Sequence, residues 1–179
     1  PGDAAFQRDV LLRAFALLES PEVPVLVDHP EIIEIDDTPL ACALPPRYDT
    51  SVPAAVDEAR ALRPAWDRTH ERLGITSVGR VTDADGIPDL VQRLVRIADG
   101  EAWDSVGLPG DPVSCAHDLR TYYEEAAVAL ADDVTGGSAE VWFSEVTEAG
   151  QALLAARRRM KDQDAPFTLW FYMAAGVRA

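Results

Sequence analysis

The chain has 179 residues, 47% hydrophobic and 26% charged, with 16 basic against 31 acidic side chains and a formal net charge of −15. That length and mixture fit one soluble globular domain able to bury a core without metal or disulfide staples. The acid excess opposes the phosphate neutralisation on which generic nucleic-acid binding and adhesion to anionic membranes depend.

In chain order, Asp3 is a fair N-cap, and Phe6, Val10, Leu11, Ala14, Phe15, Leu17 and Leu18 follow at helical spacing until Ser20-Pro21. Between residues 23 and 44 the pattern shortens to Val23–Val27, Glu31–Ile35 and Leu40–Leu44, punctuated by prolines; these runs predict a small β ribbon. A second helix runs from Pro53 to Leu73 with Gly74 as its stop, and Pro64 inside it predicts a kink or two abutting helices. A third carries Leu90, Val91, Leu94, Val95 and Ile97 to Gly100. Asp111-Pro112 opens a fourth, in the favoured cap-then-proline order, which continues to Asp133. A fifth, capped by Ser138, runs through Trp142, Phe143 and Leu153 to Met160, its Arg157-Arg158-Arg159 end suiting the negative helix pole. Phe167–Val177 leans toward helix.

The expected fold is therefore mainly α, a compact domain of five or six helices with a small β ribbon near residues 23–44. Its expected core includes Phe15, Leu62, Trp66, Leu94, Tyr122, Trp142 and Leu153, each on the apolar stripe of its helix. Residues 1–179 read as a single domain. The absence of an initiator Met before Pro1-Gly2-Asp3 predicts the C-terminal portion of a longer or processed protein. No apolar run reaches bilayer-spanning length and no signal-peptide pattern is visible, so the expected address is cytoplasmic.

Candidate chemistry is sparse. His29, His70 and His117 are the three histidines, and neighbouring carboxylates make them candidate metal ligands, but none stands at metal-ligand spacing from another. Cys42 and Cys115 form no C-x-x-C pair. Cys115 and His117 lie two apart on a helix, about 200° around its axis, so they are not a local nucleophile–base pair. Tyr122, Tyr123 and Glu124, together with Trp142 and Glu145, form two aromatic–acid clusters on adjacent helices. They are candidates for the wall of a substrate cavity, against the simpler reading of a packed helix seam. There is no phosphate loop or dinucleotide fingerprint, and no cofactor is expected.

Three stretches carry a resemblance. Pro1–Ala14 with Ala16–Glu19 and Pro24–Asp28, then Asp118-Leu119-Arg120-Thr121-Tyr122-Tyr123-Glu124-Glu125-Ala126, then Trp142-Phe143-Ser144-Glu145-Val146-Thr147-Glu148-Ala149-Gly150-Gln151-Ala152-Leu153-Leu154, keep their order along nearly the whole chain. They resemble the C-terminal helical region of proteins related to component B of the glycine, sarcosine, betaine and D-proline reductases. The resemblance implies an accessory domain of an oxidoreductase. Its redox centre, a selenocysteine or cysteine with further cysteines, lies outside this chain. It implies as partner an N-terminal redox domain of the same protein or a separate subunit, and no catalytic residue here; homo-oligomer formation is left open. Two alternatives stand beside it: a freestanding metal-dependent enzyme built on His29, His70 and His117, and a protein–protein interaction module.

Overall fold

In the computed structural model the chain divides into two units, Pro1–Asp36 and Asp37–Ala179, where the sequence predicts one domain. The structure describes all residues except 1, 2, 22, 23, 33–37, 39, 42, 43, 133 and 175–179.

The first unit is built on α1 (Ala4–Leu17), opened by the Asp3 carboxylate, which accepts the N–H groups of Ala5 at 2.9 Å and Phe6 at 3.0 Å. His29 rests on this helix, with Nε2 3.0 Å from Asp9 and its ring edge-on to Phe6. No α1 side chain is buried, and Phe15, expected in the core, is 60% exposed. The cause is visible in the pattern: the neighbours Leu11 and Leu12 spread the apolar residues around the helix instead of gathering them on one stripe. The expected β ribbon is a second correction. Among the described residues of 23–44 no strand forms; Pro24, which donates no backbone hydrogen bond, falls within what would be its first arm, and Pro30 directly precedes the second. The remaining residues of the ribbon lie outside the described set.

The second unit is helical. Its elements are α2 (Ala54–Leu73), α3 (Ile87–Ala98), α4 (Pro112–Ala127), α5 (Gly136–Val141), a π-helical turn (Trp142–Val146), α6 (Glu148–Asp162), α7 (Phe167–Phe171) and a 3₁₀ turn (Tyr172–Ala174). α3 packs chiefly on α6, while α2 lies against α3, α4 and α6. Leu62, Ile87, Leu90, Leu94, Ile97, Leu119, Leu153 and Met160 fill the centre, and Trp66, Tyr122 and Trp142 join them as expected. α2 passes through Pro64 as one helix and stops at Gly74, whose φ of 68° is the left-handed conformation that glycine tolerates. No described helix is long and apolar enough to cross a membrane.

The predicted fifth helix is in fact two. Thr135, not Ser138, is its N-cap; Ser138 is the partner in a capping box. The π turn follows, and Thr147 then leaves helical geometry (ψ 145°) to cap α6, accepting the Gly150 N–H at 3.0 Å. The break depends on Gly150, because a Cβ there would lie 1.8 Å from the Phe143 carbonyl oxygen. Gln151 donates its amide N–H to the Ser144 carbonyl at 2.6 Å, satisfying an acceptor that the π turn leaves open.

Candidate functional site

The apolar stripe of α2 reads Ala55, Ala59, Leu62, Ala65, Trp66 and Thr69, and one acid, Glu58, falls within it. The helix thereby carries a carboxylate into the packed interior, where Glu58 is 8% exposed. Its oxygens accept the Tyr123 hydroxyl at 2.9 Å and the N–H groups of Glu148 and Ala149, the first residues of α6, at 3.0 and 3.2 Å. Burial raises the Glu58 carboxyl above its ordinary range, and those three donors oppose the rise without cancelling it. Glu58 also borders a cleft of about 260 Å³ whose other walls include Leu44, Arg47, Asp57 and Glu148. The stripe position was the signal for this residue, and the sequence reading passed over it.

Around Glu58 the structure brings three of the predicted wall residues together. Tyr122 and Tyr123 meet edge-on at 5.8 Å, Tyr123 lies 6.1 Å from Trp142 and 5.2 Å from Phe143, and Trp66 stacks on Tyr122 at 6.1 Å. All three predicted aromatics are buried. The Tyr122 hydroxyl donates to the Ala59 carbonyl at 2.9 Å, and burial raises both tyrosine hydroxyls well above their usual range. The Trp142 indole N–H has no hydrogen-bond partner among the described residues. The two predicted acids stand apart from this cluster. Glu145 is exposed; Glu124 is half-buried, raised by that burial, with Arg120 at 3.5 Å opposing the rise and Glu140 and Glu125 adding to it.

The other acids of α4 have structural partners. Asp118, fully buried, accepts four successive backbone N–H groups, those of Gly79, Arg80, Val81 and Thr82, at 2.8–3.2 Å. Glu125, two turns further on, accepts the Trp66 indole N–H at 2.7 Å, the Thr76 hydroxyl at 2.8 Å and the Ser77 N–H at 2.8 Å. These two carboxylates fasten the segment between α2 and α3 to α4.

The histidines and the described cysteine remain separate. His29 is held by Asp9 and by the backbone of Glu31, His70 stacks on Trp66 at 5.0 Å, and His117 Nδ1 lies 3.3 Å from Asp118. Among the described residues no three His, Cys, Asp or Glu side chains converge in a metal-holding group. Cys115 is fully buried, with its thiol 3.7 Å from the Gly110 carbonyl, and burial pushes that thiol up to about 11. Cys42 lies outside the described residues.

No protein-family model matches this chain, and no curated protein and no solved structure does.

Proposed function

We propose that this chain is a helical accessory domain of a glycine/betaine-reductase-like oxidoreductase, acting in the cytoplasm beside a redox centre carried by an N-terminal domain or a separate subunit. One observation carries the reading: in the second and third of the stretches on which the resemblance rests, several polar residues are engaged in building the scaffold. Asp118 and Glu125 fasten a loop, Tyr123 bonds Glu58, and Thr147, Gly150 and Gln151 form the joint into α6. Such residues define a shape and leave the chemistry to another part. Cys115 supports the same conclusion, since a buried thiol with a raised pKa is a poor nucleophile. Reductive cleavage needs a low-pKa thiol or selenol and a resolving partner.

The test is reductive cleavage of glycine- or betaine-like substrates with a dithiol donor. This chain alone should give no turnover, and turnover by it would overturn the accessory-domain reading. Tyr123→Ala and Glu145→Ala in the complete protein report whether the seam also shapes the neighbouring active site. A second reading, an interaction module, is favoured by α1, where Leu11, Leu12 and Phe15 are each more than half exposed.

A further inference from the structure

In a chain with so large an acid excess, the second half of α6 presents cations without acidic partners. Arg157, Arg158 and Lys161 lie on one side of that helix and, with Asp162 and Trp170 of α7, line a concavity of about 270 Å³. Arg157 is 8% exposed and forms the floor: its Nε–H donates to the Trp170 carbonyl at 3.3 Å, and its guanidinium lies 5.8 Å from the Trp170 ring and 5.9 Å from the Phe171 ring. Lys161 Nζ lies 5.5 Å from the Trp170 ring. Among the described residues none of these three cations is in an ion pair.

Helix-end electrostatics do not account for the arrangement. Cations favour the C-terminal pole only within the last turn. There Arg159 and Lys161 suffice, and Arg157 and Arg158 lie before them. Arg157 has a structural role in holding α7, but only its Nε–H is used for it. The Arg157 side chain is itself part of the lining of the concavity. Three cations against one carboxylate, Asp162, leave the concavity net positive. Trp170 supplies an apolar wall beside them.

We infer that this concavity between α6 and α7 is a binding site for a small organic anion, a carboxylate or phosphate group carried on a compact apolar body. The anionic head faces Arg157, Arg158 and Lys161, and the body lies along Trp170. The size fits a small ligand, since pockets for drug-sized molecules run to about 300–1,000 Å³. The inference is independent of the reductase reading.

The experiment follows the Trp170 indole N–H signal by NMR in the full chain, assigned with Trp170→Phe, during titration with phenyl phosphate, benzoate and inorganic phosphate at constant ionic strength. The expected result is a saturable shift with phenyl phosphate or benzoate at a Kd of about 1 mM, with inorganic phosphate weaker for want of a body. Which of the two aromatic anions binds tighter identifies the head group. Arg158→Gln with Lys161→Gln, both at exposed positions, should weaken binding about tenfold or more. The control double variant Arg68→Gln with Arg80→Gln removes the same charge elsewhere and should leave binding unchanged. No saturable shift up to about 20 mM probe, some twentyfold above that expected Kd, would overturn the site. Equal weakening by both double variants would also overturn it, as a field effect. A glutamate-rich peptide binding more tightly than either aromatic anion would replace the small-molecule site with a protein-docking surface.

Discussion

Asp118 offers the most exacting test of how the second unit is held together. Its carboxylate is fully buried and receives N–H groups from residues 79 to 82, while its neighbours on the helix, Cys115 and Leu119, are core residues. Asp118→Ala leaves those donors without an acceptor. Hydrogen bonds to a charged group contribute about 1.5–3 kcal/mol each, but a loop with its outer face in water recovers part of that by rehydration, so we expect a loss of about 3 kcal/mol. Asp118→Asn should cost nearly as much, because one oxygen becomes an NH₂ aimed at N–H groups. With a urea m-value of about 2 kcal/mol/M, either variant should shift the midpoint down by about 1.5 M. Tryptophan fluorescence is a clean probe, since Trp66, Trp103, Trp142 and Trp170 all lie in Asp37–Ala179. Amide exchange at residues 79–82 should accelerate with it. A near-neutral Asp118→Asn would refute the reasoning, for it would mean that the site reads volume and not charge. The pH dependence gives an independent check. Burial alone would raise this carboxyl; the donors Val81, Arg80 and Thr82, with His117, outweigh burial and hold it below the ordinary aspartate range. Its contribution is therefore fully present above about pH 3.9 and lost as pH falls through the lower folded-state value, so wild type and Asp118→Asn should converge in stability in acid.

Glu58 should show the opposite sign. Its folded-state pKa is raised, so wild type should lose stability as pH climbs from about 4.3 through the raised value, and urea titrations of Glu58→Gln over that interval should show a shallower loss. Gly150→Ala places a Cβ 1.8 Å from the Phe143 carbonyl oxygen and should cost about 2–3 kcal/mol by thermal or urea unfolding; a neutral result would show that the π turn yields readily. In a Cys42→Ser background, the remaining thiol of Cys115 should react with a thiol reagent only on unfolding, and fast reaction near neutral pH in the folded state would overturn its assignment as a core residue.

The helical architecture was legible because apolar residues recur at helical spacing in α2, α3 and α4 and because Asp111-Pro112 and Gly74 punctuate them. The joint at Thr147 was not, since Trp142 to Leu154 keeps an apolar period across it; only the contact of Gly150 with Phe143, a tertiary fact, reveals why the helix must break there. Phe15 went astray for the reverse reason: an apolar residue at helical spacing marks a core position only when another element covers it. The candidate seam was half legible. Tyr122 and Trp142 could be placed inward from their periodicity, but the acid that meets their neighbour Tyr123 came from α2. An acid on an apolar stripe announces its own burial, though its partner emerges only from the packing.

That rule also explains what the acids of α4 accomplish. Asp118 and Glu125 stand seven residues apart, two turns of one helix, on a face shared with Leu119, Tyr122 and Ala126. The segment from Gly74 to Gly86 crosses this face without regular structure, so its amides have no ladder to join. A domain with strands would satisfy such amides in a sheet; here two carboxylates, spaced by the helix pitch, take the N–H groups of Ser77 and of residues 79 to 82. Glu58 does the same for the open N–H groups at the start of α6. Each of the three joins segments at least 36 residues apart in sequence. Part of the acid excess is therefore structural, with buried or half-buried carboxylates taking over backbone pairing at the joints between helices. For that reason the Asp-x₆-Glu spacing of α4 is better read as a loop clamp than as a pair of catalytic carboxylates.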